Sequence, residues 1–185
     1  DKKELSSHHF LFTNNEESEL LEELGYLRKE TLQYHFNNRY DSFDNFLNQL
    51  KTRKRKNIKK ERLAVQKAQI EIQWREGREL DVGMMEEVYK LYLTTISKKQ
   101  SYAYLNQAFF ENLPVFLGED LKLALAYKEE KLIAMSLFVA GEECLYGRYW
   151  GIDPDSEREF PFLHFELCYY QGMEYCFKKK IPLFE

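Results

Sequence analysis

The stretch "ECLYGRYWGI", residues 143–152, sets one arginine, Arg148, among Tyr146, Tyr149 and Trp150, with Gly147 beside it. Read as a strand, alternation puts Cys144, Tyr146, Arg148 and Trp150 on one side. Leu145, Gly147, Tyr149 and Ile152 fall around the other, with a kink at Gly151. A packed sheet has no use for an arginine between aromatic rings, whereas a site does. Arg148 can hold a carboxylate or phosphate, and Tyr146 or Tyr149 can protonate a leaving group. The bland alternative makes the rings core and Arg148 a rim residue in an ion pair. A second stretch, "FLHFELCYY" (residues 162–170), carries His164 and Glu166. Two positions apart on a helix they point about 200° away from each other, so one small site cannot take both. On a regular helix Glu166 shares its side with Phe162, Tyr169, Tyr170 and Met173. This marks it as a semi-buried carboxylate with a raised pKa, suited to deprotonating an amine. His164 shares its side with Cys168 and Gln171, where a structural and a catalytic role are both open.

The third feature is electrostatic. "KTRKRKNIKKER", residues 51–62, holds eight basic residues and one acidic residue in a chain whose net charge is −4. Arg53, Lys54, Arg55 and Lys56 go round the whole circumference of a helix, which is more than a solvated stripe needs. The block suits an anionic partner: the phosphates of RNA or of an undecaprenyl-type carrier, or an anionic membrane surface. It contains no aromatic residue, so base stacking does not come from it.

Composition removes several function classes. A chain of 185 residues with 44% hydrophobic and 16% aromatic content is a folding sequence. No run approaches the roughly eighteen apolar residues of a membrane span. Cys144, Cys168 and Cys176 are odd in number and have no metal-ligand spacing, and His8, His9 and His35 show none either. Free thiols point to a reducing cytoplasm. The chain starts with Asp and closes on "PLFE", which reads as an internal piece of a longer protein.

These residues need elements to hold them. "LSSHHFLF" (5–12) reads as a short strand, and "NNEESELLEELGY" as a helix capped by Asn15 and ended by Gly25. "LRKETLQYHFNN" reads as a strand with Leu32, Tyr34 and Phe36 on one side. One long helix is expected over about 42–68, capped by Asp41 or Ser42. "IEIQW" is a strand. "DVGMMEEVYKLYLTTISK" and "YLNQAFFENLPVFL" are helices, the second interrupted or ended near Pro114. "LKLALAYK", "KLIAMSLFVA" and "ECLYGRYWGID" are strands joined by hairpin turns at "KEEK" and "GEE". A helix from about Pro161 to Lys179 and a strand at "IPLFE" complete the order. From residue 70 this is an α+β layout with helices packed on a mixed sheet.

That order is similar to the GNAT acyltransferase superfamily. "SSHHFLF", "LQYHFNN", "FDNFLNQLKTRKRKNIKKER", "YLNQAFF", "LYGRYWG" and "FLHFELCYYQGMEYC" together resemble the FemAB-like family of N-acyltransferases of peptidoglycan biosynthesis or recognition. The resemblance implies the tail of a first GNAT-like domain at 1–40, a basic linker helix at 41–68, and most of a second GNAT-like domain at 69–185. It implies transfer of an acyl or aminoacyl group to an amine acceptor such as a cell-wall precursor. The donor would be acyl-CoA or aminoacyl-tRNA, with no tightly bound cofactor and no metal. It makes "LYGRYWG" the strand bordering the transfer cleft, where Gly147 or Gly151 would let the reacting carbonyl approach a backbone N–H. Glu166, Tyr146, Arg148 and His164 become the catalytic candidates. Arg53, Lys54, Arg55, Lys56, Gly147, Tyr149 and Trp150 become the substrate-binding candidates. One departure stands out: "GIDPDSEREFPFLH" has no glycine after Gly151 and carries Asp153, Asp155, Glu157 and Glu159, which oppose pyrophosphate bound in the usual acetyl-CoA manner. The competing reading is a non-catalytic module that binds a cell-wall precursor or nucleic acid.

Overall fold

The computed structural model describes residues 7–11 and 13–185. The chain divides into a unit ending at Gln33 and a unit of Tyr34–Glu185. In the first, α1 (Asn15–Glu23) starts with a reciprocal capping box, in which Asn14 rather than Asn15 is the cap and Glu17 closes it. Gly25, at φ +89°, ends the turn. Residues 7–11 of the expected strand at 5–12 are not in a strand, and the rest of it lies outside the described residues.

The second unit is built on one sheet. Its strands are β1 (Phe36–Asn37), β2 (Glu71–Glu76), β3 (Leu121–Lys128), β4 (Lys131–Ala140), β5 (Cys144–Ile152) and β6 (Leu183–Phe184). The spatial order is β1-β6-β5-β4-β3-β2. Every pairing is antiparallel except β5 with β6, so the sheet is mixed as expected. The β3–β4 turn uses Glu129 and Glu130, both with positive φ, as a tight hairpin requires. Of the expected strand at 27–38 only Phe36 and Asn37 pair; Leu32 and Tyr34 are exposed, with no neighbouring strand to cover them.

Both sheet faces are covered. α4 (Val82–Lys98) and α5 (Gln107–Leu117) pack on one face with Leu121, Leu123, Leu125, Met135 and Leu137. The other face packs Ala124, Ala126, Phe138 and Leu145 against α2 (Phe43–Gln49), α3 (Thr52–Lys67) and the C-terminal helices. α5 runs through Pro114 to Leu117 and ends at Gly118, φ +50°. The expected long helix at 42–68 is two helices. Leu50 and Lys51 are extended between them, because no apolar residue between Leu50 and Ile58 ties the backbone to the core. Phe43, Leu47 and Val65 all belong to the core of the second unit, so the basic helix is part of that unit and the division falls at residue 33 instead of 40.

The C-terminal helix also differs from its expectation. α6 (Pro154–Glu159) comes first, with Pro154 at the first helical position that Pro161 was expected to fill. Asp153 caps it, accepting from the Ser156 N–H at 3.1 Å and from the Ser156 hydroxyl at 2.8 Å. Then follow α7 (Leu163–Phe165), a π-helical turn (Glu166–Tyr170) and α8 (Gln171–Lys179). No helix among the described residues is long and apolar enough to cross a membrane.

Candidate functional site

Arg148 is the extra residue of a β-bulge. Phe138 pairs with Gly147 and Leu137 pairs with Tyr149, which leaves Arg148 without a partner on β4. The bulge resets the alternation: Tyr149 packs against α4 and α5, whereas Trp150 packs with the opposite core. Trp150 therefore does not share a side with Tyr146, contrary to the even spacing. The guanidinium lies 4.8 Å from the Tyr146 ring centre and pairs with Glu185 at 2.9 Å. Glu185 also faces His35 at 3.6 Å.

Three cavities meet at Arg148 and Tyr149. The first, about 350 Å³, lies where β5 and β6 stop pairing, and is lined by His35, Phe36, Ser136, Trp150, Cys168, Tyr169 and Glu185 among others. The second, about 750 Å³, runs between α5 and β4 and is almost wholly apolar. The third, about 1440 Å³, lies between the C-terminal half of α4, β5 and α6, with Tyr104, Trp150 and His164 on its walls.

Neither glycine of β5 serves an incoming carbonyl. The Gly147 N–H donates to the Glu185 carbonyl at 2.8 Å, so β6 already uses it. At Gly151 a β-carbon would lie 2.1 Å from the Leu91 carbonyl oxygen; this glycine lets α4 close on the strand. The Thr94 and Thr95 hydroxyls donate to the Ile152 and Trp150 carbonyls, both at 2.8 Å, and fasten α4 to the same stretch.

The π turn separates His164 from Glu166. Each helical residue then meets a neighbour five positions on. The His164 and Tyr169 rings lie 5.6 Å apart, and Gln171 donates to Glu166 at 2.9 Å, which inverts the grouping a regular helix gives. Glu166 is buried, and both its oxygens accept from the Arg62 guanidinium at 3.0 and 2.9 Å. Arg62 also bonds Glu174 at 2.5 Å and lies 4.4 Å from the Phe43 ring centre. Glu166 is a clamp between α3 and the π turn and lines none of the three cavities. His164 does line the third, its ring 5.1 Å from that of Trp150. Burial holds its imidazole below the usual value of 6.5, which favours the neutral form. Burial and the neighbouring Tyr104 push the Tyr149 phenol up to about 12, so it keeps its proton.

Arg53, Lys54 and Lys56 are exposed and Arg55 is half-buried on the first turns of α3. Among the described residues none of the four has an acidic partner, and none lines the cavities at β5. Sequence reading missed Ser136, Cys168, Tyr169, Tyr104 and Glu185. They come from five different segments, so only the folded sheet brings them to β5. Burial pushes the Cys168 thiol up to about 12, which keeps it an uncharged wall of the first cavity. No three His, Cys, Asp or Glu side chains among the described residues converge on a metal geometry.

The mixed sheet with its flanking helices and its cleft where β5 and β6 part is a GNAT-like fold. The chain belongs to the FemAB-like family, described as one of peptidoglycan biosynthesis/recognition, which it matches over residues 1–185. No curated protein matches it. Among solved structures it is similar to the C-terminal DUF2156 domain of a protein described as a lysylphosphatidylglycerol synthetase from Agrobacterium fabrum. There the identity is 11%, the TM-score 0.50, and coverage is 69% of this chain and 39% of that one. It is also similar to a conserved protein of unknown function from Bacteroides thetaiotaomicron VPI-5482, with 12% identity, a TM-score of 0.50, and coverage of 82% and 51%. An aminoglycoside acetyltransferase from an uncultured soil metagenomic sample, solved with sisomicin, has 14% identity, a TM-score of 0.41, and coverage of 63% and 73%. The chain thus spans about half or less of the first two.

Proposed function

We propose that the protein transfers an acyl or aminoacyl group from an activated donor, acyl-CoA or aminoacyl-tRNA, to an amine acceptor, a cell-wall precursor by the family's description. The observation that carries this reading is the meeting of three cavities at one bulged residue of β5. Acyl transfer has three parts to seat: the acyl group, the leaving group and the nucleophile. In this reading the amine enters the third cavity and its nitrogen attacks the carbonyl carbon beside Tyr149. Neutral His164 takes the proton that the amine loses. The carbon–leaving-group bond breaks, and the departing atom keeps the electron pair. Arg148 holds the negative charge of the leaving part, and Tyr149 donates a hydrogen bond to it. Glu166 has no step in this scheme. Tyr146 supports Arg148 through its ring. Acetyl-CoA held by pyrophosphate at the following helix is disfavoured, because Asp153 occupies the start of α6.

A non-catalytic module would gain support had both Glu166 and Arg148 been buried in ion pairs with no cavity beside them. Glu166 meets that description, but Arg148 does not: its side chain is 40% exposed and borders all three cavities. The test is transfer from acyl-CoA and aminoacyl-tRNA donors to a panel of amines, using the full-length protein. Activity should rise with pH through a midpoint below 6.5 as His164 loses its proton, then level off. His164→Gln should remove that acidic limb and lower the rate about 10²–10⁴-fold. No transfer to any amine, or an unchanged pH profile in the variant, refutes the reading.

A further inference from the structure

A surface helix ordinarily turns a polar face to water. α5 does not. Phe110 and Leu113 face the core, yet the outward positions hold Phe109 (40% exposed), Val115 (78%) and Phe116 (80%). Glu111 is its one charged residue, and it accepts a hydrogen bond from Gln107 at 2.7 Å. These outward rings are not scattered. Phe109 and Phe116 join Leu117, Leu137 and Val139 in the apolar groove of about 750 Å³, which ends at Arg148 and Tyr149. A groove of that size accommodates a drug-sized ligand. It is apolar along its length and cationic at one end, and that end is the bulge where the proposed reaction occurs.

We infer that this groove holds a long hydrocarbon chain carried by the acyl donor, so that the donor is a long-chain acyl compound and not an acetyl one. The inference rests on the transferase reading. Of the three parts of the reaction, the acyl chain is the one that matches an apolar channel. A chain lying against Phe109 and Phe116 would cover surface that otherwise faces water, and its carbonyl end would reach Tyr149. The anionic remainder of the donor would then fall to Arg148. Charge and polarity change along the groove in the same order as along such a molecule.

The probe is a series of saturated fatty acids from butanoate to dodecanoate, titrated calorimetrically into the protein below their micelle-forming concentrations. Affinity should rise with length, at most about fourfold per methylene, until the groove is filled. Phe109→Ser with Phe116→Ser should flatten this dependence while leaving butanoate binding unchanged. Both side chains are substantially exposed, so the variant should fold, and circular dichroism checks that. Arg148→Gln should weaken all lengths by one common factor. Affinity that does not vary with chain length, or a length dependence that survives the double replacement, overturns the inference. So does a protein that ignores dodecanoate but loses sedimentation with phosphatidylglycerol-containing vesicles on the double replacement; α5 would then be a membrane contact. The two readings fail separately. Dodecanoate binding without transfer from any donor sinks the reaction alone, and acetyl transfer without chain binding sinks the groove alone.

Discussion

Glu166 shows how a residue can have the right type and the wrong surroundings for catalysis. Its burial among aromatic residues was legible, but Arg62, the last basic residue of the 51–62 block, was not readable as its partner across 104 positions of sequence. Both carboxylate oxygens are committed, and Gln171, itself bonded to the Trp74 indole N–H at 3.0 Å, adds a third donor. A buried pair broken on one side leaves an unpaired charge, so Glu166→Leu should destabilise the fold by about 3 kcal/mol in urea denaturation. Adding Arg62→Met should restore most of that, because neither charge is then buried alone. If Glu166→Leu instead abolishes transfer while stability stays intact, the clamp assignment fails and Glu166 returns as the base. Arg148, Tyr149 and Trp150, by contrast, were readable as a site from residue types alone, since an arginine ringed by aromatics satisfies no packing need.

The elements were legible where their period was regular. β3, β4 and α4 follow alternation and three-to-four spacing closely, and their ranges match the sequence. The errors sit at two irregularities, the Arg148 bulge and the π turn at Glu166–Tyr170, each of which shifts the phase of everything after it. Periodicity arguments carry no signal for such a shift. The contact between α4 and β5 was equally hidden, since a glycine in a strand can mean a bulge, a ligand or a neighbouring backbone. Gly151→Ala tests which of these holds. With a carbonyl oxygen 2.1 Å from the new carbon, α4 must move, and overpacking of this kind costs about 1–3 kcal/mol. Gly147→Ala meets its nearest atom at 3.3 Å and should cost much less. Thermal unfolding of the two variants separates them, at about 2–4 °C per kcal/mol for a chain of this size. Equal melting temperatures would mean that Gly151 is not a packing glycine.

At the scale of the molecule, the sequence conveys an α+β layout and one concentrated positive surface in an acidic chain. It does not convey that the helix carrying this surface is built into the second unit through Phe43, Leu47 and Val65. Because the anchor is apolar and the charges face water, the charges can be changed without disturbing the anchor. Lys54→Gln with Arg55→Gln should alter stability by only a few tenths of a kcal/mol. If α3 binds a polyanion, tRNA affinity should fall and its salt dependence should become shallower in a fluorescence titration. Unchanged affinity and slope, for tRNA and for anionic vesicles alike, would leave these residues a solvated face. The bulge has a consequence of another kind. Remove Arg148 alone, and Gly147 and Tyr149 become neighbours on opposite sheet faces while every other pair of β4 and β5 keeps its partner. The strand that borders all three cavities is therefore one codon away from an ordinary one, and a lineage could gain or lose the cation at this junction in a single insertion or deletion without rebuilding the sheet around it.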